Sequence, residues 1–156
     1  MKKEIKMIDI TSKKVVYREA TAVGKIKLRR ETIEKILKNE IEKGDVIIAS
    51  KLVAISAAKK TSDLLPFCHP IPVTNVEVNI SPKSDHLEVS VTVRASAKTG
   101  VEMEALTAVS IALLNIWDMV KKYEKDDQGQ YPYTKIYDIR VISKIKRDVN
   151  EENSNC

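Results

Sequence analysis

Val76-Glu77-Val78-Asn79-Ile80-Ser81-Pro82-Lys83-Ser84-Asp85-His86-Leu87-Glu88-Val89-Ser90-Val91-Thr92-Val93 decides the fold class. Val76, Val78 and Ile80 alternate with polar residues, and so do Leu87, Val89, Val91 and Val93. A period of two puts each set on one face of a strand. Ser81-Pro82-Lys83-Ser84-Asp85 supplies the turn between them, so the pair is an antiparallel hairpin.

C-terminal to the hairpin, Thr99-Gly100-Val101-Glu102 has the form of a capping box and opens a predicted helix over 101–123. Asp126-Asp127-Gln128-Gly129-Gln130 is a loop, and 134–146 reads as a strand with Tyr137, Ile139 and Val141 on one face. On the N-terminal side, three prolines within residues 65–72 forbid a helix and fix an extended path. Before them Asp45 can cap a helix over 46–59. A helix over 31–42 carries Ile33, Ile36, Leu37 and Ile41 as a stripe and stops at Gly44. Residues 15–28 read as a strand with Val15, Tyr17, Thr21 and Val23 on one face. The order βααββαβ predicts an α+β, ferredoxin-like fold, a four-stranded antiparallel sheet covered on one face by helices. The 156 residues suit a single catalytic domain, 1–156, with flexible tails at 1–6 and 148–156.

Composition narrows the partners. The hydrophobic fraction of 43% is that of a globular chain. Lys and Arg exceed Asp and Glu by 27 to 22, and the resulting +5 suits an anionic partner without naming one. The two cysteines, Cys68 and Cys156, are not expected to pair, and a reducing cytoplasm follows. Met1-Lys2-Lys3-Glu4 is not followed by the apolar run of a signal peptide. Glu102, Glu104, Asp118, Lys121 and Lys122 in the most apolar helix argue against a membrane span. Sheet-based RNA readers stack bases on aromatic side chains, and residues 73–93 contain none, so no nucleic-acid partner is expected. Abundant Ile, Lys and Glu suit a heat-loving source.

Helix 101–123 is apolar nearly all round, so it should be buried nearly all round. Either another subunit or helix 46–59 covers the side that the sheet leaves open; the pattern alone does not choose.

Among the polar candidates, Cys68 and His69 are neighbours in an extended segment and point to opposite sides. Cys68 reads as a small hydrophobe. His69, on a proline-stiffened backbone, is either a ligand or proton-transfer group or a core histidine bonded to a carbonyl. His86 lies at a hairpin turn, and neither Cys-x-x-Cys nor His-x-x-x-His occurs, so no metal site is expected. Lys98-Thr99-Gly100 before a helix N-terminus is a fair anion site. Glu102 is accounted for by the capping box. Glu104, about 200° further round the helix, needs another reason. Asp118 and Lys121 are helical neighbours, a surface ion pair or an acid/base pair. Glu104 and Asp118 share a face about 21 Å apart, so an antiparallel copy of the helix across a two-fold axis would bring them together. Lys43 and Lys59-Lys60 follow helices, where lysines complement the dipole.

These motifs converge. Lys43-Gly44-Asp45-Val46, Ala57-Ala58-Lys59-Lys60-Thr61, Asp63-Leu64-Leu65-Pro66 with Cys68-His69-Pro70, and Lys98-Thr99-Gly100-Val101-Glu102-Met103-Glu104-Ala105-Leu106-Thr107 resemble the cyclic pyranopterin monophosphate synthase family, the MoaC proteins of molybdenum cofactor biosynthesis. The resemblance runs from about residue 7 to about residue 122. It implies a ferredoxin-like fold, a homohexamer arranged as a trimer of dimers, and sites between subunits. It implies a lyase that turns cyclised dihydro-GTP into cyclic pyranopterin monophosphate, releasing pyrophosphate and needing no cofactor. By the same resemblance Asp118, Lys43 and Lys121 are catalytic. Phe67, Cys68, His69, Met103 and Glu104 bind substrate, joined by Lys59, Arg18, Asp9 and Asp63. Phe67 replaces a more usual leucine, and the chain lacks the glycine-rich C-terminal segment of many members. A purely structural subunit would instead be indifferent to replacement of Asp118 or Lys43.

Overall fold

The computed structural model describes residues 1–148. Apart from Asp148, the expected tail at 148–156, with Cys156, lies outside the described residues. The elements run β1 (Val16–Lys27), α1 (Arg30–Leu37), α2 (Val46–Lys59), α3 (Thr61–Leu64), β2 (Val73–Pro82), β3 (His86–Ala97), α4 (Glu102–Glu124) and β4 (Lys135–Arg147). The strands form one antiparallel sheet in the order β2-β3-β1-β4, with helices on one face, the ferredoxin-like arrangement the element order predicts.

The hairpin forms as read. Val78 pairs with Val91 and Ile80 with Val89, and Leu87, Val89, Val91 and Val93 are fully buried. β1 forms too, but its core face is the opposite one. Val16, Ala20, Ala22 and Ile26 are buried beneath the helices; of the expected face Val23 is buried as well, but Val15 is exposed and the Thr21 hydroxyl meets that of Thr92 at 2.7 Å. Bulk misled the reading: α4 lies so close to β1 that only small residues fit under it. A Cβ on Gly24 would sit 2.8 Å from both Leu113 and Val109.

α1 ends at Leu37, well short of residue 42. Asn39 adopts φ 56°, and the Asn39 and Glu40 amides return to the Ile36 and Lys35 carbonyls, a Schellman-type stop. Ile41 is still buried, but Leu37 is exposed. Gly44, at φ 113°, turns the chain into α2, where the Asp45 carboxylate accepts the Ile48 amide at 2.9 Å as expected. The short α3 was not anticipated; the Thr61 hydroxyl donates to the Ala57 and Ala58 carbonyls there.

The capping box at α4 does not form. Val101, not Thr99, is the N-cap residue, so the Thr-to-Glu spacing misses the first turn. The Glu102 carboxylate instead receives Lys144 of β4 at 3.1 Å. α2 packs along α4, with Asn115 donating to Ser50 at 3.1 Å, and covers much of the side left by the sheet. Met103 and Leu114 of α4 and Ile48 and Leu52 of α2 stay exposed. By length and composition α4 could cross a bilayer, because its charges cluster toward its ends, so those charges alone do not exclude a span. Its packing on the sheet and α2 makes it a core helix. On β4, Tyr137 is half-buried but Ile139 and Val141 are exposed, because Asp138 at φ 56° and a register shift break the alternation.

Candidate active site

Most of the polar candidates separate into two clusters at opposite ends of α4. At the C-terminal end the α1–α2 connection folds against the helix, fastened by the Glu42 amide donating to the Tyr123 hydroxyl at 2.9 Å and by the Lys122–Glu42 ion pair. This places Lys43 Nζ 3.0 Å from Asp118 Oδ2, while Lys121 Nζ, one turn along, lies 3.1 Å from Asp118 Oδ1. The two lysines, Lys43 foremost, hold the Asp118 carboxyl below the usual carboxylate range. Asp118 is thus an ionised, exposed carboxylate bracketed by two cations.

At the other end, the proline-rich segment, the start of α4 and the N-terminal segment enclose a cavity of about 460 Å³. Phe67, Cys68, His69, Gly100, Glu102 and Met103 are among its walls. His69 Nε2 donates to the Ile8 carbonyl at 2.6 Å, so a half-buried ring that lines the cavity also makes the carbonyl bond of a structural histidine. The Cys68 thiol lies 4.0 Å from Glu104. Burial pushes it up, helped by the carboxylates of Glu104 and Glu102, which suits a neutral thiol rather than a nucleophile.

Glu104 is 2% exposed, and burial raises its carboxyl above the usual range. Its Oε2, like that of Glu102, is buried without a hydrogen-bond partner. Buried polar atoms are nearly always bonded, so an unsatisfied pair beside a cavity marks a place where a ligand can supply the missing donor. Asp9 accepts the Thr11 amide and hydroxyl at 2.8 and 2.6 Å, which lowers its carboxyl. It shares a second cavity, about 360 Å³, with His69 and Lys98.

Three candidates fall elsewhere. Arg18 is buried and donates to the Ala97 and Lys98 carbonyls at 3.5 and 3.3 Å, fixing the backbone that leads to Gly100. Lys59 lines a cavity between α2 and β2, and Asp63 another between α2 and α4. The single chain brings neither to His69 or to Asp118. Sequence reasoning in turn passed over Lys144, whose place against Glu102 and above Gly100 depends on the register of an edge strand. It also passed over Trp117 and Tyr131 beside Asp118. Among the described residues, no three His, Cys, Asp or Glu side chains group as metal ligands.

Known proteins agree with the pattern. The model of the MoaC family matches residues 7–146. A protein of Sulfolobus acidocaldarius, named probable cyclic pyranopterin monophosphate synthase, is 65% identical over 140 residues, covering 90% of this chain and 98% of that protein. Proteins of the same name from Saccharolobus solfataricus and Pyrococcus furiosus are 59% and 56% identical, each over 94% of this chain and over 98% and 94% of their own lengths. The chain belongs to the MoaC family.

Proposed function

We propose that this protein is a cyclic pyranopterin monophosphate synthase. It is a lyase of molybdenum cofactor biosynthesis that converts cyclised dihydro-GTP to cyclic pyranopterin monophosphate and releases pyrophosphate. The names of its relatives and the span of the family match support the activity. The site is assembled from two copies of the chain. One observation carries this: Glu104 and Asp118 stand 14 residues apart on α4, about 21 Å. Each end of the helix therefore holds half of the groups such a reaction needs. An antiparallel copy of α4 closes the gap, and the exposed Ile48, Leu52 and Leu114 give that contact apolar surface.

The two carboxyls are tuned apart, the pattern that assigns acid and base roles. Asp118, kept ionised by Lys43 and Lys121, accepts a proton as the ring rearranges. Glu104, favoured in its protonated form by burial, donates one. Lys43 and Lys121 offset the negative charge that grows on the departing pyrophosphate. Phe67, Cys68, His69 and Met103 shape the wall that receives the substrate, with Asp9 beside it. Lys59, Asp63 and Arg18 act from outside these walls, through neighbouring backbone or a neighbouring subunit. The assembly is a hexamer, a trimer of dimers, working in the cytoplasm.

Complementation tests the shared site. Asp118→Asn and Glu104→Gln, each nearly inactive alone, should regain activity when unfolded together and co-refolded, because mixed interfaces contain one intact site. Additive residual activity in the mixture, with sedimentation showing mixed oligomers, would overturn it.

A further inference from the structure

Two consecutive residues at the end of α4 grip α1 at both of its ends. Glu124, fully buried, accepts the Arg29 amide at 3.1 and 3.2 Å and the Thr32 hydroxyl. Arg29, the N-cap residue of α1, has no side-chain oxygen to offer, so a carboxylate from another helix does the capping. Tyr123, about 100° round α4 from Glu124, reaches past the other end of α1. Its hydroxyl accepts the Glu42 amide at 2.9 Å. The next residue in the chain is Lys43.

Residues 40–43 stand between two left-handed positions, Asn39 at φ 56° and Gly44 at φ 113°, and belong to no helix or strand. Their placement therefore depends on what they are attached to. Ile41 is buried, whereas Glu42 and Lys43 are exposed. The Lys43 side chain is a flexible stem, 47% exposed, so no packed wall directs it. Its reach to Asp118 is set by where its backbone stands. Two bonds tie that backbone to α4 on the Glu42 side. The Lys122–Glu42 ion pair joins side chains that are 64% and 69% exposed, which makes it weak and sensitive to salt. The Tyr123 bond goes to the main-chain amide itself. It comes from a half-buried ring packed against the hydrophobic core, with the Lys35 and Lys122 ammoniums 5.6 and 5.7 Å from the ring centroid. The hydroxyl is thus the fixed point, and the ion pair an accessory.

We propose that Tyr123 is a positioning residue for the reaction: by holding the Glu42 amide, its hydroxyl fixes the adjacent Lys43 ammonium on Asp118. Tyr123 touches no reacting group and acts only through Lys43. This rests on the reading of Asp118 and Lys43 as part of the reacting centre. Lys121 needs no such support, because it reaches Asp118 from one turn along the same helix. Of the two cations beside the carboxylate, one is placed by local helix geometry and the other by a tertiary hydrogen bond. Tyr123 lies outside the motifs that carry the family resemblance.

Tyr123→Phe removes the hydroxyl and keeps the ring in the core. It should lower kcat with cyclised dihydro-GTP by about ten- to a hundredfold, the size expected when a charged group shifts by a fraction of an ångström to 1 Å. KM should change less, because the charge Lys43 offsets grows in the transition state. The Asp118 carboxyl should move up toward 3.8 in a carboxyl-resolved NMR titration, because its largest lowering cause is displaced. In a Lys43→Ala background the same substitution should cost nothing further, since the two residues act as one unit. Unchanged kcat, an unchanged Asp118 titration, or an equal further loss in the Lys43→Ala background would overturn the proposal. If Tyr123→Phe fails to fold, hydrogen exchange in the unmodified protein decides. The Glu42 amide should be protected although its residue is exposed, and exchange at the rate of a free amide overturns the proposal equally. Full activity of Lys43→Ala is a separate failure. It removes Lys43 from the reacting centre, while the Asp118 titration in Tyr123→Phe would still show whether the hydroxyl places the ammonium.

Discussion

Lys43 Nζ donates both to the Asp118 carboxylate, at 3.0 Å, and to the Asp118 backbone carbonyl, at 3.2 Å. One ammonium thus fixes the loop before α2 to the last turns of α4 and keeps the carboxylate charged. Lys43→Ala should raise the Asp118 carboxyl toward the 3.8 of an ordinary aspartate, because the largest cause of its lowering is removed. A carboxyl-resolved NMR titration reads this directly. Asp118→Asn should cost about 10²- to 10⁴-fold in kcat with a preserved melting curve, as for the loss of a positioned base. The pair is exposed, so its contribution to stability is small; it is present above the unfolded pKa of 3.8 and fades as pH falls through the lowered value.

Glu104 behaves in the opposite sense. Its folded carboxyl is raised by burial from 4.5, so the unfolded chain loses its proton first as pH rises. Folding is therefore penalised progressively above the unfolded value, and the penalty levels off once pH passes the raised folded value. Glu104→Gln removes the titration. Melting temperatures of the two proteins should coincide near pH 4 and diverge above it, the variant being the more stable. Parallel curves across that window would contradict a raised Glu104.

Glu124 ends α4 fully buried and accepts the Arg29 amide, the Thr32 hydroxyl and the Thr134 hydroxyl. It joins the start of α1, the end of α4 and the approach to β4. Glu124→Ala strands three donors and opens a void, so it should cost about 3 kcal/mol or more in urea denaturation. The loop carrying Tyr131 should lose its hydrogen-exchange protection first, because Thr134 is one of the stranded groups.

Gly24 tests the close approach of β1 and α4. Gly24→Ala puts a methyl group 2.8 Å from Leu113 and Val109 and 3.0 Å from Ile139. Overpacking of this kind should destabilise by about 1–3 kcal/mol, measurable as a lower denaturation midpoint with an unchanged slope.

The alternation of residues 76–93, the Asp45 cap and the apolar length of 101–123 are local signals, and local physics was enough to read the hairpin, α2, α4 and the ferredoxin-like order from sequence. The motif strings around Lys43, Cys68-His69 and Lys98 to Thr107 likewise carried the family, because they are contiguous in the chain. What failed was whatever a distant partner decides. The core face of β1 went to its alanines and Gly24 because α4 presses there, a distance no strand pattern contains. Glu102 turned to Lys144 rather than to a cap because an edge strand 42 residues away puts an ammonium in reach. The Asp118 cluster needs Lys43 from 75 residues upstream, and the Trp117–Tyr131 contact needs a loop that doubles back on its own helix. Sequence sets which face of an element is apolar and where it starts; only packing sets which side chains meet, because contact depends on the register and separation of elements that the chain brings together from far apart.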